Sequence, residues 1–413
     1  MFRLVLVLGA MALGLAFASA HAQSTRERSF NPDVSLILQG TAARSSQDPE
    51  SYAITGFAPS GGEVGPPLRG FGLGESELVI GANVDPYLRG HLVAALTPED
   101  EVEVEEAFFQ TLALGRGFTL KGGRFLSAIG YLNEIHQHAW DFQDAPLAYK
   151  AFLGGRLNDD GVQLRWVAPT DLFLELGAEA GRGRGFPGTD RDKSGSSLGS
   201  VFGRLGGDLD TSLAWRAGLS YLQTSPEDRG FEDVDSLDEA VGQSISGESK
   251  LWIADFVLKW APGGNATVTN FKLQGEYFRR RETGSIAYDD SDGSATFGPL
   301  ADSYASRQSG WYLQGVYQFM PRWRVGYRYD RLDHGTVQNG IVDNGLGPTA
   351  ADFPLLMTEH NPTRNTLMVD FSPSEFSRFR VQLASDKSRA GATDNQLLVQ
   401  YLLSLGVHGA HRF

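Results

Sequence analysis

The stretch GYLNEIHQHAWDFQDAP, residues 130–146, places Glu134, His136, His138, Asp141 and Asp144 within eleven positions of a chain that has only eight histidines. Imidazoles and carboxylates at this density suit three kinds of chemistry. If the chain is extended, His136 and His138 point the same way, and Glu134 or Asp141 would complete the N and O donor set of a Zn²⁺-type site. The same groups could instead touch passing cations, or hydrogen-bond a folded loop to a wall so that it narrows a passage. The pattern HxH is too common to choose among these. No cofactor is required by the sequence, and Zn²⁺ at His136 and His138 is the one it suggests. His408 and His411 read as packing near the last turn.

Enzyme signatures do not survive their context. Gly195-Ser196-Ser197-Leu198-Gly199 matches G-x-S-x-G, but a polar loop precedes it and a strand pattern follows, whereas a nucleophile elbow needs a strand and then a helix. GRGRG at 181–185 lacks a phosphate-cradle setting. No catalytic residue is assigned, and the chain is expected not to be an enzyme.

The elements that must carry the cluster are strands with two unlike faces. In RWRVGYRYDRL, Trp323, Val325, Tyr327 and Tyr329 alternate with Arg322, Arg324, Arg328 and Asp330. SGWYLQGVYQF, SRFRVQLAS and NFKLQGEYF split in the same way. Alternation alone fits a soluble sandwich as well as a membrane barrel. Strands of about ten residues, connections of two different lengths and aromatic residues at strand ends favour an all-β, antiparallel, up-and-down transmembrane barrel. Strand starts near Val34, Leu78, Leu92, Val104, Phe118, Val162, Leu172, Phe202, Leu213, Leu251, Thr269, Trp311, Arg322, Thr366, Arg378 and Gln396 predict about sixteen strands.

The connections fall into two sets. Aromatic-to-proline turns at Trp166–Pro169, Trp260–Pro262, Phe319–Pro321 and Phe371–Pro373 read as short periplasmic hairpins. Segments near 44–73, 181–198, 223–248, 283–308 and 333–361 read as long outer loops. The 223–248 segment carries eight Asp and Glu residues against Arg229, so much of the net charge of −14 is expected to be hydrated loop. Negative charge also argues against nucleic-acid partners.

Both ends are consistent with export to an outer membrane. Residues 1–22 have a basic Arg3, an apolar run and A-x-A cleavage sites, and predict a signal peptide ahead of a barrel over 23–413. There are no cysteines, which rules out disulfides and Cys-based sites. The last strand, NQLLVQYLLSLGVHGAHRF, alternates up to a terminal Phe413, which resembles the signal that barrels present to their insertion machinery.

In this frame the cluster falls between the fifth and sixth strands. Leu126, Ile129, Tyr131, Leu132, Ile135, Trp140, Phe142, Leu147, Tyr149 and Phe152 are too apolar for an outer loop. They predict that 126–155 folds inward as a constriction presenting Glu134, His136, His138, Asp141 and Asp144 to the channel. Facing it, the lumen positions Arg280, Arg322, Arg324, Arg328, Arg364, Arg378 and Arg380 are basic. An acidic loop opposite such a wall would set a transverse field across the passage, unless the arginines pair with Asp330, Asp370 or Glu276 instead. The acidic outer segments oppose any anion preference, so the wall does not fix the sign of selectivity.

The whole chain resembles Gram-negative porin-type barrels and is similar in layout to the phosphate-selective porin O/P-like group. NPDVSLILQG, GRFLSAIGYLNEIHQHAWDFQDAPL, WVAPTDLFLELGAE and HGAHRF look like plug-less barrels often labelled TonB-dependent or zinc-regulated receptors. An energised receptor has a long N-terminal plug and about 22 strands, for which this chain has no room. The resemblance implies a passive outer-membrane channel for small hydrophilic solutes or ions. It also implies contact with outer-membrane lipid and lipopolysaccharide, and a possible homotrimer. A metal-associated uptake barrel is the alternative.

Overall fold

The computed structural model describes residues 32–61, 64–98, 100–289 and 297–406. The expected signal segment 1–22 and residues His408, His411 and Phe413 lie outside the described residues.

Strand segments form one antiparallel sheet that closes by pairing its first member with its last. The first half comprises β1 (Asp33–Ser45), β2 (Gly70–Leu73), β3 (Ser76–Asn83), β4 (Leu88–Leu96), β5 (Val102–Thr111), β6 (Phe118–Leu126), β7 (Asn158–Val167), β8 (Phe173–Gly181) and β9 (Leu198–Asp210). The second half comprises β10 (Leu213–Thr224), β11 (Arg229–Val234), β12 (Ala240–Trp260), β13 (Asn270–Asp289), β14 (Leu300–Met320), β15 (Trp323–Asn339), β16 (Thr363–Ser374), β17 (Ser377–Lys387) and β18 (Asp394–Gly406). Two staves of the barrel are each built from two segments. β2 and β3 pair with successive stretches of β1, and β10 and β11 with successive stretches of β12. The eighteen segments are therefore sixteen barrel strands, as the alternation predicts.

Burial is inverted relative to a soluble protein. Leu313, Tyr327, Leu367, Val381 and Leu383 are 45–51% exposed, whereas Gln314, Arg328, Thr366, Arg380 and Gln382 beside them are at most 3% exposed. An apolar outer face and a polar inner face fit lipid outside and a hydrated or polar interior within. Closure also leaves no unpaired strand edge in the hydrocarbon. The aromatic residues at the short-turn end form part of a girdle: the Trp323 and Phe371 rings stack at 4.7 Å, and those of Phe379 and Tyr401 lie at 4.2 Å.

Two sequence expectations need correction. Arg322 does not line the lumen. It sits in the tight turn between β14 and β15 with φ of 73° and is exposed. In addition, 223–248 and 283–308 are in large part strand rather than loop, and 333–361 opens with the end of β15, Asp333–Asn339, before its loop and short helical turns. β12, β13 and β14 run for 21, 20 and 21 residues, about twice the expected length. Beyond the lipid band the pattern reverses: Val241, Ile245, Ile286, Tyr288 and Tyr304 face inward in a buried apolar cluster and small or polar residues face out, while backbone pairing continues, as in Gly242 with Asp289 and Tyr288 with Leu300.

Candidate functional site

Between β6 and β7 the chain leaves the wall and fills the lumen. Residues 127–133 are all buried, and so is every residue of helix α1 (Leu147–Leu153). Ile129, Leu132, Trp140, Leu147, Tyr149 and Phe152 join Ile54 and Phe57 of the connection after β1. Together they pack on the inward wall residues Leu222, Leu251, Ile253, Phe278, Tyr312 and Leu332. The segment is a plug whose apolar side chains meet an apolar belt on the wall.

Its backbone is fixed at three places. At the neck, the Asn133 amide donates to the carbonyls of Ser127 and Leu157, both at 2.8 Å, and its oxygen accepts from the Leu157 N–H at 2.8 Å. Wall carboxylates bind the orphan donors of the turns and the helix start. Glu276 accepts from the N–H groups of Tyr131 and Leu132 at 3.0 and 3.1 Å, and Asp330 from that of Leu147 at 3.0 Å. Gly130, at φ of 67°, lets the backbone reach Glu276, because a Cβ there would lie 2.4 Å from its Oε2.

The expected acidic residues reach the wall and not open water. Glu134 pairs with Arg165 and Arg204. Asp141 pairs with Lys272 at 2.9 Å and Arg324 at 3.0 Å. Asp144 pairs with Arg364, with Arg328 at 3.2 Å and with Lys150 at 3.5 Å. Burial alone would push the Asp144 carboxyl up. Arg364, Arg328 and Lys150 outweigh burial and hold it far below the ordinary carboxylate range. Asp141 is held down in the same way, with Lys272 and Arg324 overcoming its burial.

The basic wall is likewise engaged with the plug. Arg280 donates to the Ala151 carbonyl at 3.3 Å, Arg378 to that of His138 at 2.5 Å and Arg380 to that of Trp140 at 2.8 Å. Arg324 also binds Asp370 and Arg328 binds Asp330, whereas Glu276 binds plug backbone and not arginine. An acidic loop facing an arginine wall across a gap is thus replaced by direct contact. The physical reason is the apolar content of the segment, which draws it onto the wall until the charges meet.

His136 and His138 turn to another quarter of the wall. The backbone here is not extended but a single 3-10 turn, Gln137–Ala139, and the two rings stack at 5.8 Å. Glu134 and Asp141 are bound by basic side chains, so neither completes a donor set with the histidines. Their place is taken by Glu77 of β3 and by Glu105 and Glu106 of β5. His136 Nδ1 lies 3.1 Å from Glu105 and 3.3 Å from Glu77, its Nε2 lies 3.0 Å from Glu106, and His138 Nδ1 lies 2.9 Å from Glu77.

Two irregularities in the sheet aim these carboxylates. Across β4 and β5 the register steps from Val93 with Glu106 to Ala94 with Val104, leaving Glu105 as an extra residue. Adjacent residues, Glu105 and Glu106, therefore both face inward at 5% and 7% exposure. The break between β2 and β3 similarly buries neighbouring Ser76 and Glu77. There the Gln39 N–H bonds the Ser76 hydroxyl at 3.1 Å, and a Cβ on Gly74 would lie 2.2 Å from the Gln39 side chain. The broken alternation VEVEEAFF was a readable sign of the β5 bulge. Nothing in the sequence indicated which histidine would meet it.

On the short-turn side of the plug lies a cavity of about 420 Å³ lined by Asp141, Asp208, Lys259, Lys272, Trp260 and Arg324. The G-x-S-x-G match leads from Ser197 directly into strand β9, without the helix that an elbow requires.

No protein-family model matches the chain. Several solved barrels share its fold. A trimer form of OmpT, an outer membrane protein of Vibrio cholerae, has a TM-score of 0.52 at 10% identity, covering 91% of this chain and 99% of its own. The outer membrane channel DcaP of Acinetobacter baumannii gives 0.50 at 11% identity, covering 91% and 97%. OprB of Pseudomonas putida gives 0.51 at 14% identity, covering 91% and 94%. In sequence, the chain is 30% identical over 410 residues to an uncharacterized protein of Aquifex aeolicus (strain VF5), covering 94% of this chain and 81% of that one. This sixteen-stranded barrel, with the fold of the outer-membrane porins, therefore belongs to the same family as the Aquifex aeolicus protein.

Proposed function

We propose that the chain is an outer-membrane channel for passive movement of small hydrophilic solutes or ions, and that residues 127–157 regulate the passage. The observation that carries this reading is the way the plug is fastened. A segment that served only to fill the barrel could be wholly apolar. This one is held at Glu134, Asp141 and Asp144 by ion pairs to Arg165, Arg204, Lys272, Arg324, Arg328 and Arg364. Exchange of such pairs for water leaves a charged, hydrated wall behind. The cavity at Asp141, Lys259 and Lys272 is where a polar solute from the short-turn side would first meet it.

Short turns face the periplasm in barrels of this kind, which puts the plug's far side toward the outer loops. Names of two relatives in fold support the reading: one is described as an outer membrane channel and another was seen as a trimer. A homotrimer is part of the proposal. The kinships with phosphate-selective and energised receptor barrels are not carried into it.

Single-channel recording in a planar bilayer tests the proposal. Small ohmic steps are expected from the wild type, and larger or longer ones when the plug is loosened. A correctly folded barrel that conducts in neither form would overturn it.

A further inference from the structure

We infer that His136, Glu77 and Glu105 form a binding site for a first-row divalent metal ion, with Zn²⁺ as the natural probe, which staples the plug to β3 and β5.

The inward-facing atoms are His136 Nδ1 and one carboxylate oxygen from each glutamate, and all three lie within 4.8 Å of one another. Nδ1 is 3.1 Å from the Glu105 oxygen and 3.3 Å from the Glu77 oxygen. Donors about 2.0–2.2 Å from a tetrahedral ion lie roughly 3.3–3.6 Å apart, so the two Nδ1 distances are close to those of a filled site and the carboxylate oxygens are within a small side-chain adjustment of one. A lone imidazole N–H cannot serve both oxygens, and Glu77 Oε2 is buried without a hydrogen bond. Glu77 is only 1% exposed, so water does not satisfy that atom from outside. In metal-free protein a proton on Nδ1 faces both carboxylate oxygens, and a bound ion would take that proton's place.

The outer atoms of all three ligands are already fixed, as metal sites require. His136 Nε2 faces Glu106 at 3.0 Å, which orients the ring through a carboxylate–histidine pair. The second oxygen of Glu77 meets His138 Nδ1 at 2.9 Å. The second oxygen of Glu105 is bound by Arg156. Two carboxylates and one imidazole neutralise a divalent charge and leave a fourth position for water. Borderline N and O donors of this kind suit Zn²⁺ and its first-row neighbours better than Ca²⁺, which takes six to eight oxygens. The two carboxylates belong to different strands and the histidine to the plug, so the ion would join three separate parts of the chain. The inference does not rest on conduction and stands whether or not the barrel is a channel.

The test uses the full chain in detergent, stripped with chelator and loaded with Zn²⁺ alone. Equilibrium dialysis with elemental analysis is expected to give one tightly bound ion per chain. Glu77→Gln and Glu105→Gln should each weaken it by at least 100-fold, and Glu106→Gln, which acts through the ring of His136, by about 10–100-fold. X-ray absorption of the Zn²⁺-loaded wild type should show one imidazole among oxygen donors, and this reading does not depend on any variant folding. Absence of saturable one-to-one binding would overturn the site. So would two or more imidazoles at the metal, or undiminished affinity in folded Glu77→Gln and Glu105→Gln proteins.

Discussion

Asp144 is the place where the plug can be unfastened with least disturbance to the barrel. Its carboxylate lies among Arg364, Arg328 and Lys150, and accepts a further hydrogen bond from Gln382 at 2.9 Å. Asp144→Asn keeps the volume and removes the charge, which leaves three cations facing one another beside Asp330 and Asp386. Removing one partner of a buried ion pair typically costs about 3–5 kcal/mol. The two arginines and Asp330 belong to the wall, and they have Gln396, Asp386 and Asp330 as partners there, so the penalty should fall on docking of the plug. At about 1.4 kcal/mol per factor of ten, docking weakens by roughly 10²- to 4 × 10³-fold. Lys150 is 3% exposed, so trypsin cannot reach it while the plug is docked. The variant should become cleavable at Lys150 and show a higher open probability, while unboiled protein still migrates as a folded barrel. If folded Asp144→Asn protein remains as protected and as closed as the wild type, the ion pairs do not fasten the plug.

Other perturbations separate the plug from the wall. Asn133→Ala removes three hydrogen bonds and orphans buried backbone groups at the neck, at about 1–3 kcal/mol for each unsatisfied group; faster hydrogen exchange across 127–157 than across β13 should result, and equal rates would contradict it. Asp141 and Asp144 titrate far below ordinary carboxylates, so their contribution is complete above the unfolded value near 4 and disappears only as pH falls through the lower folded value. Tryptic protection of Lys150 in metal-free protein should therefore be flat from about pH 7.5 to pH 4.5, and a loss of protection inside that window would be inconsistent. Leu313→Arg places a charge on the lipid face and should lower barrel stability by about 2–4 kcal/mol in urea titrations in lipid vesicles, whereas a neutral effect would argue that this face does not meet lipid.

The alternation of apolar and polar residues, taken with strand length, two classes of connection and aromatic strand ends, was enough to read the fold from the sequence. A side-chain period of two gives each strand a lipid face and a lumen face, so Tyr327 and Arg328 are assigned before any coordinates are known. The same local rule fails past the lipid band, where the outer face turns polar and Val241, Ile245, Ile286, Tyr288 and Tyr304 turn an apolar face inward, and it misjudged the tops of β12 to β14. It also placed Arg322 on the wall because a turn residue continues the alternation.

The plug segment was legible as chemistry and as apolar content, from Glu134 to Asp144 and from Leu126 to Phe152. Which groups meet was decided by closure of the barrel. Glu77, Glu105 and His136 are separated by 28 or more positions in sequence, and they converge only because two breaks in strand register turn the carboxylates inward opposite the folded segment. Glu134 and Asp141 lie beside the histidines in the chain, yet Arg165, Arg204, Lys272 and Arg324 bind them instead. Local pattern determines which face a side chain takes; the partners it finds there depend on distances that only the closed sheet sets.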